Sequence, residues 1–302
     1  MKVKLMAALI LDGRSVAARI KQQTRCAVEA LARDGIVVRL HAIMVGEPAA
    51  GKLYARSQEA SCTDVGIDHR LHTLPANASE ENLRRCIGEL NDDPDVTGIM
   101  LHLPLPEGMH TPTMQYCIDP YKDVEGVNPS NIGLLFYDRP IIAPCTALAV
   151  LEMLAEAQYP VRGKHVCVVG QGPVAGRPIA LSLLAQNATV TGCCVDTPDI
   201  GAHTPQADVI IAAAGVPELV KAHHVKPGAV VIDVGINRVP GETDDRGRPR
   251  IVGDVDFEAV RDVASVITPV PGGVGPVTVA VLLRSAVEAA RKQQYHRRHV
   301  VS

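Results

Sequence analysis

The sequence predicts an α/β protein of two domains, one of them built on a doubly wound, largely parallel sheet. Three observations lead there. Short apolar runs alternate with stretches of helical periodicity along nearly the whole chain, the pattern of a largely parallel sheet covered by helices. Val166-Cys167-Val168-Val169 runs directly into Gly170-Gln171-Gly172-Pro173-Val174-Ala175-Gly176, and the helix-forming run Ile179 to Leu184 follows. With 302 residues, the chain is long enough for two separate cores.

Composition removes several classes. The chain is 47% hydrophobic and 21% charged with a net charge of −3, so neither nucleic acid nor an anionic membrane is an expected partner. No apolar run is long enough to span a bilayer. The run Leu5 to Leu11 is too short for a signal peptide and lacks a small-residue cleavage site after it, so it reads as an opening strand. The eight cysteines form no C-x-x-C pair and no ligand spacing, which predicts no metal and a reducing, cytoplasmic setting.

Taken in order, Asp12-Gly13 turns into a helix over 14–33, closed by Asp34-Gly35. A strand over 37–45 precedes a helix over 52–64, on which Tyr54 and Gln58 share a face. A strand over 69–74 is followed by a helix that Ser79 caps and that runs through Leu90. The strand over 96–103 stops at Pro104-Leu105-Pro106. Residues 119–133 are dense in Pro, Gly and Asn and read as loops carrying the carboxylates Asp123 and Glu125. A crossing helix over 147–156 leads into the glycine-rich turn. Further strands are expected over 188–195, 207–215, 228–237 and 263–268, with an exposed hairpin over 241–250. Pro269 to Pro276 excludes regular structure, and a last helix starts at Val277.

The turn fits G-x-G-x-x-G/A at Gly170, Gly172 and Ala175. The first glycine permits the tight turn and the second lets backbone approach a pyrophosphate. The third position lets the helix pack closely, with its N-terminal N–H groups facing the phosphates. This is the signature of a Rossmann-type domain, and it makes Gly170, Gln171, Gly172, Val174 and Ala175 cofactor candidates. Asp196 follows the next strand, 20 residues after Gly176. A carboxylate there accepts hydrogen bonds from ribose hydroxyls and repels a 2′-phosphate, which favours NAD over NADP.

Leu103-Pro104-Leu105-Pro106, Lys122-Asp123-Val124, Pro144-Cys145-Thr146, Asp233 to Asn237, Gly253-Asp254-Val255 and Thr268 to Pro276 occur in that order. Together they resemble the methylenetetrahydrofolate dehydrogenase/cyclohydrolase (FolD-type) family over nearly the whole chain. The resemblance implies a folate domain over 1–146 and 277–302, with the last helix packing back on it, and a nucleotide domain over 147–276. It implies a folate cleft between the domains and a homodimer formed through the nucleotide domains. It also implies oxidation of 5,10-methylenetetrahydrofolate by a nicotinamide cofactor, followed in many members by hydrolysis of the methenyl product. On it the substrate candidates are Tyr54, Leu103, Pro104, Glu125, Pro271, Gly272 and Gly273. Ala214, Gly215, Ile236 and Thr278 complete the cofactor set.

The departures from the family pattern carry the finer expectations. Tyr54 is kept, but the Lys four residues later is Gln58, and an amide cannot exchange a proton near neutral pH. Hydride transfer needs positioning rather than an acid or base, so dehydrogenase activity is expected to survive and cyclohydrolase activity to be lost or weak. The glutamine before Leu-Pro-Leu-Pro is His102, which is either a passive hydrogen-bonding substitute or a replacement acid/base. The second Asp of Lys-Asp-Val-Asp-Gly is Glu125, which either holds the pterin amino edge from one methylene further out or is a solvated loop carboxylate. Gln171-Gly172 and Val195-Asp196 resemble the NAD-using monofunctional branch. The competing readings are a bifunctional enzyme using His102 or water, and a folate-binding pseudoenzyme.

Overall fold

The computed structural model describes residues 8–46, 49–243, 247 and 249–299. Its first half contains β1 (Leu9–Ile10), α1 (Gly13–Arg33), β2 (Arg39–Val45), α2 (Ala49–Val65), β3 (Asp68–Leu74), α3 (Glu80–Asp92) and β4 (Gly98–Leu101). Then come α4 (Thr111–Tyr116), α5 (Pro129–Phe136), α6 (Cys145–Glu156), β5 (His165–Val169), α7 (Gly176–Ala185), β6 (Thr189–Cys193), β7 (Val209–Ala212) and β8 (Val230–Asp233). The chain closes with β9 (Asn237–Thr243), β10 (Pro249–Val252), α8 (Phe257–Val260), β11 (Val266–Ile267) and α9 (Val274–His299). The described residues fall into two compact units, 8–17 with 146–278, and 18–145 with 279–299.

The first unit is built on a parallel sheet of order β1-β11-β8-β7-β5-β6. Every residue of β7 and β8 is buried. That explains why these strands read as continuous apolar runs: a parallel sheet with both faces covered has no wet side to alternate toward. From β5 the chain passes outward to β6, then returns to β7 on the other side of β5 and continues through β8 and β11. The order therefore reverses between β5 and β7, and in open α/β sheets ligands bind outside the carboxyl ends of strands at such a point. β1 pairs in parallel with β11, Leu9 opposite Val266 and Ile10 opposite Ile267. The sequence division put this opening segment with the other domain; a pairing across more than 250 residues leaves no local trace. The rest of the predicted opening strand, Leu5 to Ala7, lies outside the described residues.

The second unit holds the parallel sheet β3-β2-β4. Ile43, Val45, Ile99 and Leu101 form one core with Leu83, Ile87 and Leu90 of α3. α3 starts with a capping box, Ser79 accepting from the Asn82 N–H while the Asn82 side chain accepts from the Ser79 N–H. The far end of α9 belongs here: buried Gln293 donates from Nε2 to the Thr97 carbonyl at 2.7 Å and the Tyr121 carbonyl at 3.0 Å.

Two elements differ from the sequence reading. The loop expected over 119–133 contains the start of α5, with Asn128 as N-cap and Pro129 at its first position. α9 begins at Val274, so Gly275 and Pro276 form its first turn instead of an irregular run. Proline is tolerated there because a first-turn N–H has no helical partner to lose. The expected hairpin is present as β9 and β10, an antiparallel pair displaced toward Asn237. No described helix is long and apolar enough to cross a membrane.

Candidate active site

In the first unit, the loops leaving β5, β7 and β8 converge. Gly170 has φ +99°, and a Cβ on it would strike the Ala213 carbonyl. The Ala213 N–H donates to the Val169 carbonyl at 2.7 Å, which locks the two strand ends together. A Cβ on Gly176 would strike the Gly170 carbonyl, so the close helix–strand approach expected at Ala175 falls one residue later. Gly172 meets no protein atom within 4 Å of its Cβ position. Its lack of a side chain therefore serves nothing inside the protein and leaves space for a ligand. The side chain of Gln171 folds back, donating to the Val168 carbonyl at 3.0 Å and lying against Gly192 of β6. Val174 is exposed.

Asp196 follows β6, whose last residue, Cys193, accepts from the Gly170 N–H at 2.8 Å. β6 ends at Cys193, and residues 194–197 form a turn in which the Thr197 N–H donates to the Cys194 carbonyl at 3.0 Å. Asp196 is at the tip of that turn, exposed, rather than at the strand end where the sequence placed it. The strand is shorter because Cys194 gives its N–H to Thr197 Oγ1 at 2.9 Å instead of to the ladder.

Ile236, Pro271, Gly272 and Gly273 line one cavity of about 180 Å³ with Arg14, Asp233 and Val234. Gly272 has φ +110° and lies 3.3 Å from the Arg14 guanidinium at its Cβ position. The Gly13 N–H donates to the Gly272 carbonyl at 2.9 Å, fixing this run to the start of α1. The peptide before Pro271 is cis. Thr278 follows one turn into α9, its hydroxyl donating to the Val274 carbonyl at 3.3 Å. Sequence reasoning missed the two aspartates beneath these loops. Asp233 accepts from the N–H groups of Gly235, Asp254 and Val255, and Asp254 from those of Ala214 and Gly215. Burial, opposed by those N–H bonds and reinforced by the Asp254 charge, pushes Asp233 up to about 7. Both sit in the quoted runs Asp233 to Asn237 and Gly253 to Val255, where sequence shows a carboxylate but not its direction.

In the second unit, Gln58 and Glu125 each reach β4, at Met100 and at Leu101, and His102 follows at its carboxyl end. The buried Gln58 donates from Nε2 to Met100 Sδ at 2.6 Å, and its Oε1 has no hydrogen-bond partner among the described residues. Met100 and His102 are two apart on an extended backbone and so share the face toward Gln58. The His102 N–H continues the ladder, donating to the Ile43 carbonyl at 2.8 Å. Burial and the nearby His69 lower the His102 pKa. Glu125 accepts from the Leu101 N–H, which places it beside His102 along the chain. Desolvation and the neighbouring Asp123 carboxylate push Glu125 up to about 8. Leu103 and Pro104, joined by a cis peptide, follow exposed. Tyr54 is on α2, but its side chain is outside the described residues.

Two further residues shape this end. Asp123, almost fully buried, accepts from Asn128 N–H at 2.7 Å, Asn131 Nδ2 at 3.0 Å and Gly126 N–H at 3.1 Å. Lys122 Nζ donates to the carbonyls of Leu90, Asn91 and Asp93, neutralising the carboxyl end of α3. Together they fix the loop that presents Glu125. No group of three potential metal ligands occurs among the described residues.

The NAD(P)-binding domain model of the tetrahydrofolate dehydrogenase/cyclohydrolase family matches residues 144–294, and that family's catalytic domain model matches residues 11–125. The chain is 44% identical over 283 residues to bifunctional protein FolD 2 of Geobacter metallireducens, covering 94% of this chain and 97% of that one. It is similar to the crystal structure of the bifunctional FolD of Campylobacter jejuni (TM-score 0.90, 38% identity, 95% and 100% coverage). It is equally similar to that of the Trypanosoma brucei enzyme complexed with NADP and an inhibitor (TM-score 0.90, 37% identity, 96% and 99% coverage). With both family models matched in order along most of its length, the chain belongs to the tetrahydrofolate dehydrogenase/cyclohydrolase family.

Proposed function

We propose that the protein oxidises 5,10-methylenetetrahydrofolate to the 5,10-methenyl cation, with a nicotinamide dinucleotide taking the hydride. The observation that carries this reading is the convergence at the β5/β7 reversal, where Gly172 leaves open space beside a glycine turn that the protein itself does not need. When bound, the nicotinamide supplies the acceptor for the hydride that leaves the methylene carbon. Removing a hydride from that carbon leaves the cation directly, so no side chain has to move a proton. The work of the chain's residues is then to bind and orient. Gln58 offers an Oε1 that has no partner among the described residues to a donor on the substrate, and Glu125 offers a carboxyl to the pterin's amino edge.

Hydrolysis of the methenyl product is a separate question, and two readings compete. Gln58 stands where the family Lys is expected, and its amide is neither acid nor base near neutral pH, which favours a dehydrogenase with weak or absent hydrolase activity. The curated relatives are named bifunctional, and they support a bifunctional enzyme at least as well, with His102 or water completing hydration. For the cofactor, the acidic turn at Asp196 favours NAD, whereas the Trypanosoma brucei relative was crystallised with NADP. A homodimer, implied by the resemblance, is checked by light scattering.

One assay separates these readings: methylenetetrahydrofolate with NAD and NADP in parallel, followed by reduced-nicotinamide and methenyl absorbance. NADH formed mole for mole with persistent methenyl product supports the monofunctional NAD enzyme. In that case Gln58→Lys should raise methenyl hydrolysis at least about tenfold, the scale of a general acid–base contribution. Methenyl loss above the buffer rate in the unaltered protein establishes the bifunctional reading, and equal kcat/KM with NADP removes the NAD assignment. No turnover with either cofactor defeats the dehydrogenase proposal itself.

A further inference from the structure

We infer that Asp254 is a positioning residue for the dinucleotide, acting through the Ala214–Gly215 loop that it holds from beneath. The inference rests on the dinucleotide reading above and goes beyond it by assigning a residue that lines no ligand space.

The geometry is specific. Asp254 Oδ2 accepts from two successive backbone N–H groups, Ala214 at 2.5 Å and Gly215 at 2.9 Å. Oδ1 accepts from Asn237 Nδ2 at 2.8 Å. Asp254 is fully buried. Gly215 has φ +69°, so the two amides turn toward one point and form an anion-binding nest. In many proteins such a nest takes a phosphate from the ligand. Here the chain's own carboxylate fills it, which leaves the pyrophosphate to the turn at Gly170–Gly172 and fixes the Ala214–Gly215 backbone before any ligand arrives.

The carboxylate is itself held. Asp233 at the end of β8 accepts from the Asp254 N–H at 3.0 Å, the Val255 N–H at 2.9 Å and the Gly235 N–H at 2.9 Å. The Asp233 N–H donates to Thr268 Oγ1 at 2.7 Å. A Cβ on Gly235 would strike the Asp254 carboxyl, and one on Gly253 would strike the Asp233 carboxyl. The glycines on either side of this pair are thus explained by the aspartates. A buried carboxylate is costly unless its oxygens are fully satisfied. Three N–H donors satisfy Asp254, and no apolar or hydroxyl side chain would serve the nest and Asn237 at once. Ala214, Gly215 and Ile236 therefore take their places from a network centred on one buried group.

Asp254→Asn replaces one carboxylate oxygen by an NH₂, which finds an acceptor only if the Asn237 amide turns its own oxygen toward it. Asn237→Asp instead sets two carboxylates against each other. The double variant D254N/N237D restores one donor facing one acceptor and keeps the net charge. Dinucleotide dissociation constants are read by calorimetry on the full chain, alongside the KM for methylenetetrahydrofolate. Asn237→Asp is expected to weaken dinucleotide binding about tenfold or more, the scale of one unsatisfied buried polar group, and the double variant to recover to within about threefold of the unaltered protein. The folate KM should change less than the dinucleotide constant, since the network reaches the substrate candidates only through Asp233 and Gly235, which line the cavity of Pro271 to Gly273.

Unchanged dinucleotide binding in N237D, or a double variant no tighter than N237D, overturns the inference. Should N237D fail to fold, Asn237→Ala removes one donor without a charge change. Several-fold weaker dinucleotide binding with a smaller change in the folate KM then supports the inference, and unaltered dinucleotide binding overturns it. An unaltered protein that binds neither NAD nor NADP defeats the dinucleotide reading and this inference together. Binding that is indifferent to all the variants defeats this inference alone.

Discussion

Glu125 shows how one methylene and one neighbour set a residue's behaviour. With its carboxyl raised to about 8 by desolvation and by Asp123, it is largely protonated at neutral pH. A pterin amino edge offers donors and so selects the ionised form, which couples substrate binding to loss of a proton. The folate KM should therefore fall as pH rises toward about 8, by up to about tenfold per unit, and level off above it. Glu125→Gln should give a flat profile over the same range, and a flat profile in the unaltered protein would show that Glu125 does not ionise on binding. The sequence singled out Gln58, His102 and Glu125 through their motifs; in the structure Gln58 reaches Met100, Glu125 accepts from Leu101, and His102 follows β4. The sequence did not separate Lys122 and Asp123 from ligand-binding groups. Both point inward, to the end of α3 and to the start of α5, and side-chain direction is decided by packing that motif spacing does not record.

At the scale of elements, the glycine turn makes a sharp prediction, because its glycines are needed for different reasons. Gly172→Ala adds a methyl to open space, so the melting temperature should hold while the KM for the dinucleotide rises about tenfold or more. Gly176→Ala drives a methyl into the Gly170 carbonyl, so stability should fall by about 1–3 kcal/mol as well, read in a denaturant titration. Equal stability losses in the two variants would remove the distinction. The strand–turn–helix here was legible because its apolar run, its glycines and its helix period all agree locally. α5 was not, although Asn128-Pro129 is a start signal: an eight-residue helix offers too little periodicity to stand out among Pro, Gly and Asn. The placement of β1 depends on a partner at the other end of the chain, and no local pattern encodes that.

Across the whole molecule, the two units carry different titratable groups in their interiors. In the second unit, His41 is lowered to about 4 by burial and by His72 and Arg70, with Asp93 and Asp68 opposing, and its Nδ1 lies 3.0 Å from His72 Nε2. The unfolded chain takes up a proton near pH 6.5 that this native imidazole refuses until about pH 4, so stability is lost as pH falls through that window. His41→Gln should flatten the fall in melting temperature between about pH 6.5 and 4.5, and an unchanged slope would assign the acid sensitivity elsewhere. The cysteines divide between the units in the same way. Cys26 and Cys194 are exposed, while burial raises Cys62 and Cys167 to about 12 and lifts Cys145 and Cys193 as well. Timed alkylation read by mass spectrometry should mark the exposed pair at once and each buried pair only when its own unit opens. Added dinucleotide should then slow the marking of Cys167 and Cys193, and added folate that of Cys62 and Cys145. The chain thus carries its own pair of clocks, one for the breathing of each half, with no label engineered into it.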